Sequence, residues 1–213
     1  MIDPTVLALY LVAAGAMILS PGPDTIYVLT RSFGEGSRVG FASAAGTSAG
    51  VVVHTLGAVV GLAALFRASS TAFLAVTYLG AAYLVFLGVR TIRDDGLVVA
   101  SAERGDPGAT AADSSSSHPF PEAITVNVLN PQVALFFLAF LPQFVGDRLV
   151  ELQLLLLGGL YAVLTMLYLG SVALAAGRLR RLLVSRPRVA DGVRWASGLV
   201  LVALGLRLFL FGS

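Results

Sequence analysis

Long apolar runs constrain the fold of this chain more than any other feature. Six runs bounded by charges or turn residues cover 5–30, 39–66, 71–89, 121–145, 149–176 and 194–212. Each approaches the roughly 20 residues that a membrane-spanning helix needs. Charged residues make up only 12% of the 213 positions, about half the share of a soluble domain. The sequence therefore predicts an all-α polytopic protein with six transmembrane helices in a single membrane domain, 1–213.

A polar stretch divides the six runs into two groups of three. Residues 91–120 are rich in Asp, Gly, Ala and Ser, a composition typical of a flexible linker. The predicted halves are thus 1–90 and 121–213. Because each half has an odd number of helices, related halves would lie in the membrane as inverted-topology repeats, as in many secondary transporters. This inference depends on the helix count, since no residue-level repeat is evident.

Arginine placement predicts the orientation. All 14 basic residues are arginine, and 11 of them fall in alternate loops that include the linker. Cytoplasmic loops carry the positive excess, so we expect a cytoplasmic linker, both termini outside, and a multi-pass protein of the cytoplasmic membrane. These arginines flank spans rather than forming a basic face, which argues against nucleic acid as a partner. Without an N-terminal positive region or cleavage site, the first run is expected to remain as a span.

The first run contains a helix-breaking motif, "SPGPD". Ser20 before Pro21, or Gly22 before Pro23, has the character of a helix start. Asp24 follows, and burial of its carboxylate would be costly unless it is paired, protonated or facing water. Three roles are open for it: binding a substrate ammonium, carrying a proton, or capping the resumed helix.

The fourth run contains a similar break, "NVLNPQ". Asn127 and Asn130 share one helix face, and Asn130 with Pro131 is the pattern of an N-cap and first turn. A helix that begins inside the membrane points unpaired N–H groups into the protein, which suits the carboxylate of a small zwitterion. The alternative is a capped proline kink without a ligand. Both breaks lie about ten residues from the predicted cytoplasmic boundary, so we expect them to converge.

The second run presents a glycine face with one imidazole. Gly46, Gly50, His54, Gly57 and Gly61 fall within about 80° of arc on an α-helix. The four glycines are predicted to pack closely against another helix or a ligand. His54 is a candidate for proton coupling, and the alternative is a hydrogen-bonded structural histidine.

Other chemistry is sparse in this sequence. The chain has no cysteine and no HExxH motif, so we predict no catalytic residue, no metal site and no cofactor. Tyr161, Thr165 and Tyr168 share a helix face, either along a polar path or in interhelix packing.

Four segments resemble one family. They are "SPGPD", the glycine-rich second run with His54, "YLGAAYLVFLGVRTIR" and "NVLNPQVALFFLAFLPQFV". Together they resemble the lysine exporter and homoserine/threonine resistance (LysE/RhtB) family of amino-acid exporters. The resemblance implies proton-driven efflux of amino acids or close derivatives. The family's marked residues fall here on Pro21, Gly22, Pro23, Asn127, Asn130, Pro131, Pro142 and Gln143.

One departure from the family pattern bears on the substrate. Gln132 stands where the family often has lysine, which implies a different way of binding a carboxylate or coupling protons, or a different solute. The alternatives to an amino-acid exporter are an exporter of a metal cation or other small solute, an intramembrane enzyme, and a structural membrane subunit. The expected partners are the small-molecule substrate and the lipid bilayer, and a homo-oligomer is compatible with the sequence.

Overall fold

The computed structural model describes residues 3–20, 22–68, 70–93, 118–146, 148–178 and 187–211. In these ranges the chain forms helices and no strand, so the predicted all-α class is confirmed. In chain order the helices are α1 (Pro4–Leu19), α2 (Pro23–Glu35), α3 (Ser37–Ala68), α4 (Ser70–Arg93), α5 (Pro119–Val128), α6 (Pro131–Leu135), α7 (Val150–Leu174) and α8 (Pro187–Phe211). Pro21 and residues 94–117, most of the predicted linker, lie outside the described ranges.

The first predicted span is a broken pair, α1 and α2, whose axes meet at 49°. The backbone of Ser20 is extended after α1, and Gly22 is extended before α2. Pro23 occupies the first turn of α2, where its missing N–H leaves no hydrogen bond unmade. The helix break predicted from the proline-rich motif is therefore present.

The fourth predicted span is broken in the same way. Here α5 and the helical segment that begins at Pro131 meet at 51°. Asn130 is the N-cap of α6, and its Oδ1 accepts from the Gln132 N–H at 3.0 Å, as the sequence predicted. The helix then continues as a π-helical turn, Phe136–Phe140, and a 3₁₀ turn, Leu141–Phe144. Wide π turns occur often at functional sites.

Two helices in the described ranges are long and apolar enough to cross a membrane unaided: Ser37–Gly61 within α3, and Val150–Leu174. The number rises to four if each broken pair is one span. The helices α4 and α8 coincide with the third and sixth apolar runs of the sequence. The predicted total of six spans includes these two helices.

The bundle is organised around α3, which packs against α2, α5 and α7, while α4 packs along α8. Glycines permit the closest approach between α3 and α5. A Cβ at Gly46 would lie 2.2 Å from the Phe120 carbonyl oxygen, and one at Gly50 would lie 2.6 Å from Asn127 Oδ1. Any side chain at either position would push α5 away.

The other two glycines of this face have different surroundings. A Cβ at Gly57 or Gly61 would meet no atom of the described residues within 4 Å. The physical reason is the break in the facing span, because α5 ends at Val128 and does not extend along this part of α3. Among the described residues no helix packs closely against Gly57 or Gly61, and close approach of a ligand to these two glycines stays a prediction.

Aromatic side chains fill the core beyond the two breaks. Phe136, Phe137 and Phe140 are fully buried, and both Phe136 and Phe137 contact the ring of Tyr161. The hydroxyl of Tyr10 donates to the Leu157 carbonyl at 2.7 Å and joins α1 to α7. This aromatic cluster closes the bundle on one side of the breaks.

Candidate functional site

Asp24 connects the two helix breaks directly. Its Oδ2 accepts from the side-chain amide of Asn127 at 2.9 Å and from that of Asn130 at 3.1 Å. The carboxylate comes from the first turn of α2, whereas the two amides flank the break between α5 and α6. The convergence expected from the depths of the two breaks is therefore present, and Asp24 joins α2 to the break between α5 and α6.

Asn130 has two functions that use different atoms. Its Oδ1 caps α6, and its Nδ2 donates to Asp24. The next residue but one, Gln132, is buried, and a Cβ at Gly22 would lie 2.8 Å from its side-chain Oε1. A side chain at position 22 would therefore displace the flexible end of Gln132 from its place between the breaks.

His54 supports the same break from α3. Its Nε2 lies 3.0 Å from the Asn127 carbonyl oxygen. A carbonyl oxygen only accepts, so Nε2 carries the proton and donates. The same carbonyl oxygen accepts from the Asn130 N–H at 2.9 Å, so His54 is a second donor to this backbone acceptor at the end of α5. Its ring also lies against Phe137, with centroids 5.9 Å apart.

A small polar cavity lies at the junction of the breaks. It is lined by Met17, Ile18, Ser20, Gly22, Asp24, Thr25, Val51, Asn127, Asn130, Gln132, Val133, Tyr161, Thr165 and Leu169. Its volume is about 30 Å³, which is room for about two water molecules. The side chains are thus drawn together in a conformation too tight for a whole amino acid.

Four buried oxygen atoms on residues that line this cavity have no hydrogen-bond partner in the described structure: Ser20 Oγ, Asp24 Oδ1, Asn127 Oδ1 and Thr165 Oγ1. Unpaired buried polar atoms are costly and call for an explanation. The carboxylate and amide oxygens can only accept hydrogen bonds, while the two hydroxyls can also donate. The site therefore combines acceptors suited to an ammonium group with donors suited to an anion.

Sequence reasoning identified some of these residues and missed others. Of the predicted polar face on α7, Tyr161 and Thr165 line the cavity. Ser20 and Gln132 were not selected as lining residues, although each adjoins a proline of a break. That adjacency was the available signal for both residues. Pro23 and Pro131 shape the backbone at the breaks, and neither lines the cavity.

A second polar cluster joins α2 to the start of α5. Arg31 is 7% exposed and lies 3.1 Å from Glu122 through Nη2, while its Nη1 pairs with Glu35. The hydroxyl of Tyr27 donates to the same Glu122 oxygen at 2.9 Å. We call Arg31, Glu122 and Tyr27 the latch, because these three side chains join α2 to α5 at the end that is predicted to be cytoplasmic.

Removing the charge of Glu122 tests the latch. We expect Glu122→Gln to lower the free energy of unfolding by about 1–2 kcal/mol, because a mostly buried arginine loses a partly exposed partner. Glu35→Gln is the matched control, since it removes an ion pair within one helix and should cost less than about 0.5 kcal/mol. Thermal unfolding of the purified protein in detergent measures both. Equal losses for the two variants would contradict a special role for the contact between the halves.

The apolar helices, two of them broken around a buried polar junction, define a helical membrane protein. The comparisons agree, since residues 15–212 match the LysE type translocator family. The chain belongs to this family, which confirms the resemblance seen in the sequence. It is a multi-pass membrane protein of a transporter family.

Named relatives cover most of the chain. An uncharacterised membrane protein of Pseudomonas aeruginosa is 33% identical over 93% of this chain and 92% of its own length. The homoserine/homoserine lactone efflux protein of Salmonella typhi is 34% identical, with 80% of each chain covered. The leucine efflux protein of Klebsiella pneumoniae is 30% identical over 93% of this chain and 92% of its own length. No solved structure gives a significant match.

Proposed function

We propose that the protein exports an amino acid or a small amino-acid derivative across the cytoplasmic membrane. The observation that carries the proposal is the set of unpaired buried oxygens around Asp24, where two broken helices meet. The family and the two relatives named as efflux proteins support the direction of transport and the class of solute. The six spans, the outside termini, the cytoplasmic linker and the inverted halves are part of the same proposal.

Asp24 and Asn127 form the proposed ammonium site. The Oδ2 atom of Asp24 is occupied by the amides of Asn127 and Asn130, whereas its Oδ1 has no partner in the described structure. The Asn127 Oδ1 atom is also unpaired and buried. An ammonium has three N–H donors, so it can bond to both free oxygens. Charge-assisted bonds of this kind are about twice as strong as neutral ones.

The proposed carboxylate site lies at the start of α2. Gly22, Asp24 and Thr25 line the cavity, and N–H groups in the first turn of a helix have no intrahelical partner. The hydroxyls of Ser20 and Thr165 are at most 5% exposed and are unpaired in the described structure. Helix N-termini favour anions, so these donors suit the carboxylate of a zwitterion. The start of α6 is less available, since Asn130 already accepts from the Gln132 N–H.

Proton coupling follows from competition at Asp24. A proton on Oδ1 would turn this atom from an acceptor into a donor and would release an ammonium bound there. One carboxylate that binds either a proton or the substrate exchanges the two, as an antiporter requires. We assign this exchange to Asp24. We assign His54 a supporting function in this exchange, because its Nε2 is used in the bond to the Asn127 carbonyl.

Opening of the site requires the two halves to separate. The cavity is too small for an amino acid, and the latch joins α2 to α5 beside it. We propose that rocking of one half against the other releases the latch on one side and the aromatic cluster on the other. The described residues contain no group of three or more metal-binding side chains, so no observation favours the metal-cation alternative. None favours an enzyme either.

Counterflow in proteoliposomes tests the proposal. Vesicles loaded with an unlabelled amino acid should take up the labelled form of that amino acid, and an inside-acid pH gradient should increase the uptake. An N-acetyl amino acid lacks the ammonium and should not compete, whereas the free amino acid should. Absence of counterflow across the 20 common amino acids and homoserine would overturn the amino-acid assignment. Equal competition by the N-acetyl form would overturn the ammonium site.

A further inference from the structure

Three side-chain amides line the polar cavity, and one of them is uncommitted. The amides of Asn127 and Asn130 donate to Asp24. Gln132 is only 6% exposed, and its side-chain amide makes no hydrogen bond with the described residues. An amide carries two N–H donors and one acceptor oxygen, and leaving such groups buried without partners is costly. Gln132 therefore has unused hydrogen-bonding groups that an occupant of the cavity can take.

The amide of Gln132 lies at the start of α2. A Cβ at Gly22, the N-cap of α2, would lie 2.8 Å from Gln132 Oε1 and 3.8 Å from Nε2. No side chain of the described residues caps this helix, whereas Asp3 caps α1 and Asn130 caps α6. The N–H groups of an uncapped first turn lack partners and favour an anion. Two independent sets of donors, the helix start and the Gln132 amide, therefore adjoin the same part of the cavity.

Asn130 holds Gln132 and Asp24 in a fixed relation. Its Oδ1 accepts from the backbone N–H of Gln132 at 3.0 Å, and its Nδ2 donates to Asp24 at 3.1 Å. The ammonium and the carboxylate of an α-amino acid are attached to one carbon atom, so the groups that bind them must lie close together. Gln132 and Asp24 meet this requirement, because both line one cavity of about 30 Å³.

The charges of the cavity leave the carboxylate of a substrate to neutral donors. Asp24 is the only charged side chain among the residues that line the cavity, and none of them is arginine, lysine or histidine. Without a lining cation, Asp24 stays free for an ammonium. For the same reason, a carboxylate in the cavity has to be bound by N–H and O–H groups that carry no charge.

We infer that Gln132 is a specificity-determining residue, which binds the substrate carboxylate through its Nε2 and so distinguishes α-amino acids from amines without a carboxylate. This inference depends on the proposed function, because it requires the ammonium of the substrate to bind at Asp24. It adds to the helix start and the two hydroxyls a side chain whose removal can be tested.

Replacing Gln132 with methionine tests the inference. Methionine has a similar size and an unbranched side chain but no N–H donor. The probes are leucine and isoamylamine, which is leucine without its carboxylate. We expect Gln132→Met to weaken binding of leucine at least about tenfold, because a hydrogen bond to a charged group is lost, and binding of isoamylamine less than about twofold. Thermal stabilisation of the purified protein in detergent over a concentration series of each probe gives the dissociation constants.

Gln153→Met is the matched control. It makes the same substitution at a residue outside the cavity, whose amide bonds to the backbone of Gly146. This variant is expected to lose stability, but the ratio of the two dissociation constants should not change. The control thus separates a structural effect of losing an amide from a loss of carboxylate binding.

The outcomes separate this inference from the proposed function. Equal weakening of both probes by Gln132→Met, or no weakening of either, would overturn the inference and leave the ammonium site at Asp24 in place. Absence of counterflow of every amino acid by the unmodified protein would overturn the proposed function itself. If Gln132→Met does not purify as a monodisperse protein, Gln132→Leu gives the same comparison, with the same expected change in the ratio.

Discussion

Replacing Asp24 with asparagine is expected to reduce amino-acid counterflow at least about 100-fold, equivalent to about 2.7 kcal/mol, without destabilising the protein. The Oδ1 atom of asparagine can still accept from the amides of Asn127 and Asn130, which now bond to Asp24 Oδ2. The new Nδ2 atom then takes the place of the unpaired Asp24 Oδ1. A donor facing the cavity repels an ammonium, and the negative charge is lost.

Stability distinguishes a binding function of Asp24 from a structural one. Thermal unfolding in detergent should give Asp24→Asn a midpoint equal to or above that of unmodified protein, because a buried carboxylate is replaced by a neutral amide. Asp191→Asn is the control for charge, since Asp191 pairs with Arg194 on α8 and lies outside the cavity. It should transport normally. Full transport by Asp24→Asn would contradict both the ammonium site and the proton exchange at Asp24.

The breaks could be predicted from sequence because their causes are local. Proline in the first turn and asparagine as an N-cap act within a few residues, so Pro23 and Asn130 mark the helix starts that the structure contains. Convergence of the breaks followed from their distances to the arginine-rich loops. No comparable local pattern in the sequence predicts the contacts between distant helices. The pairing of Arg31 with Glu122 joins positions 91 residues apart in the chain, and neither residue belongs to a recognisable pattern.

The glycines of α3 show where periodicity ceases to be informative. A repeat places Gly46, Gly50 and Gly57 on one face, but it does not say what lies opposite them. The answer depends on where α5 ends, and α5 ends at Val128. Gly46 and Gly50 therefore meet this helix, whereas a Cβ at Gly57 would meet no described atom within 4 Å. Equal spacing in the sequence thus led to unequal surroundings, because the facing span is broken.

Replacing Asn127 with leucine is expected to have the second-largest effect, a loss of transport of at least about 100-fold together with a loss of about 1–3 kcal/mol in stability. Leucine has a similar volume but removes the amide that donates to Asp24 at 2.9 Å and the unpaired Oδ1. The Asp24 carboxylate would then keep one of its two amide donors, the side chain of Asn130. Asn130→Ser is the comparison variant, because serine can still cap α6 while it removes one donor and no acceptor of the ammonium site.

A double-mutant cycle decides whether Asn127 and Asp24 act as one site. If both bind the same ammonium, adding Asn127→Leu to Asp24→Asn should reduce counterflow by less than about threefold beyond the loss caused by Asp24→Asn alone. The reason is that effects of residues that act as a unit are strongly non-additive. Counterflow of one labelled amino acid in proteoliposomes measures all four corners of the cycle, with Asn130→Ser expected to lose only about tenfold on its own. Additive losses would mean that the two side chains act separately, and the ammonium site would then have to be built around Asp24 without the Asn127 oxygen.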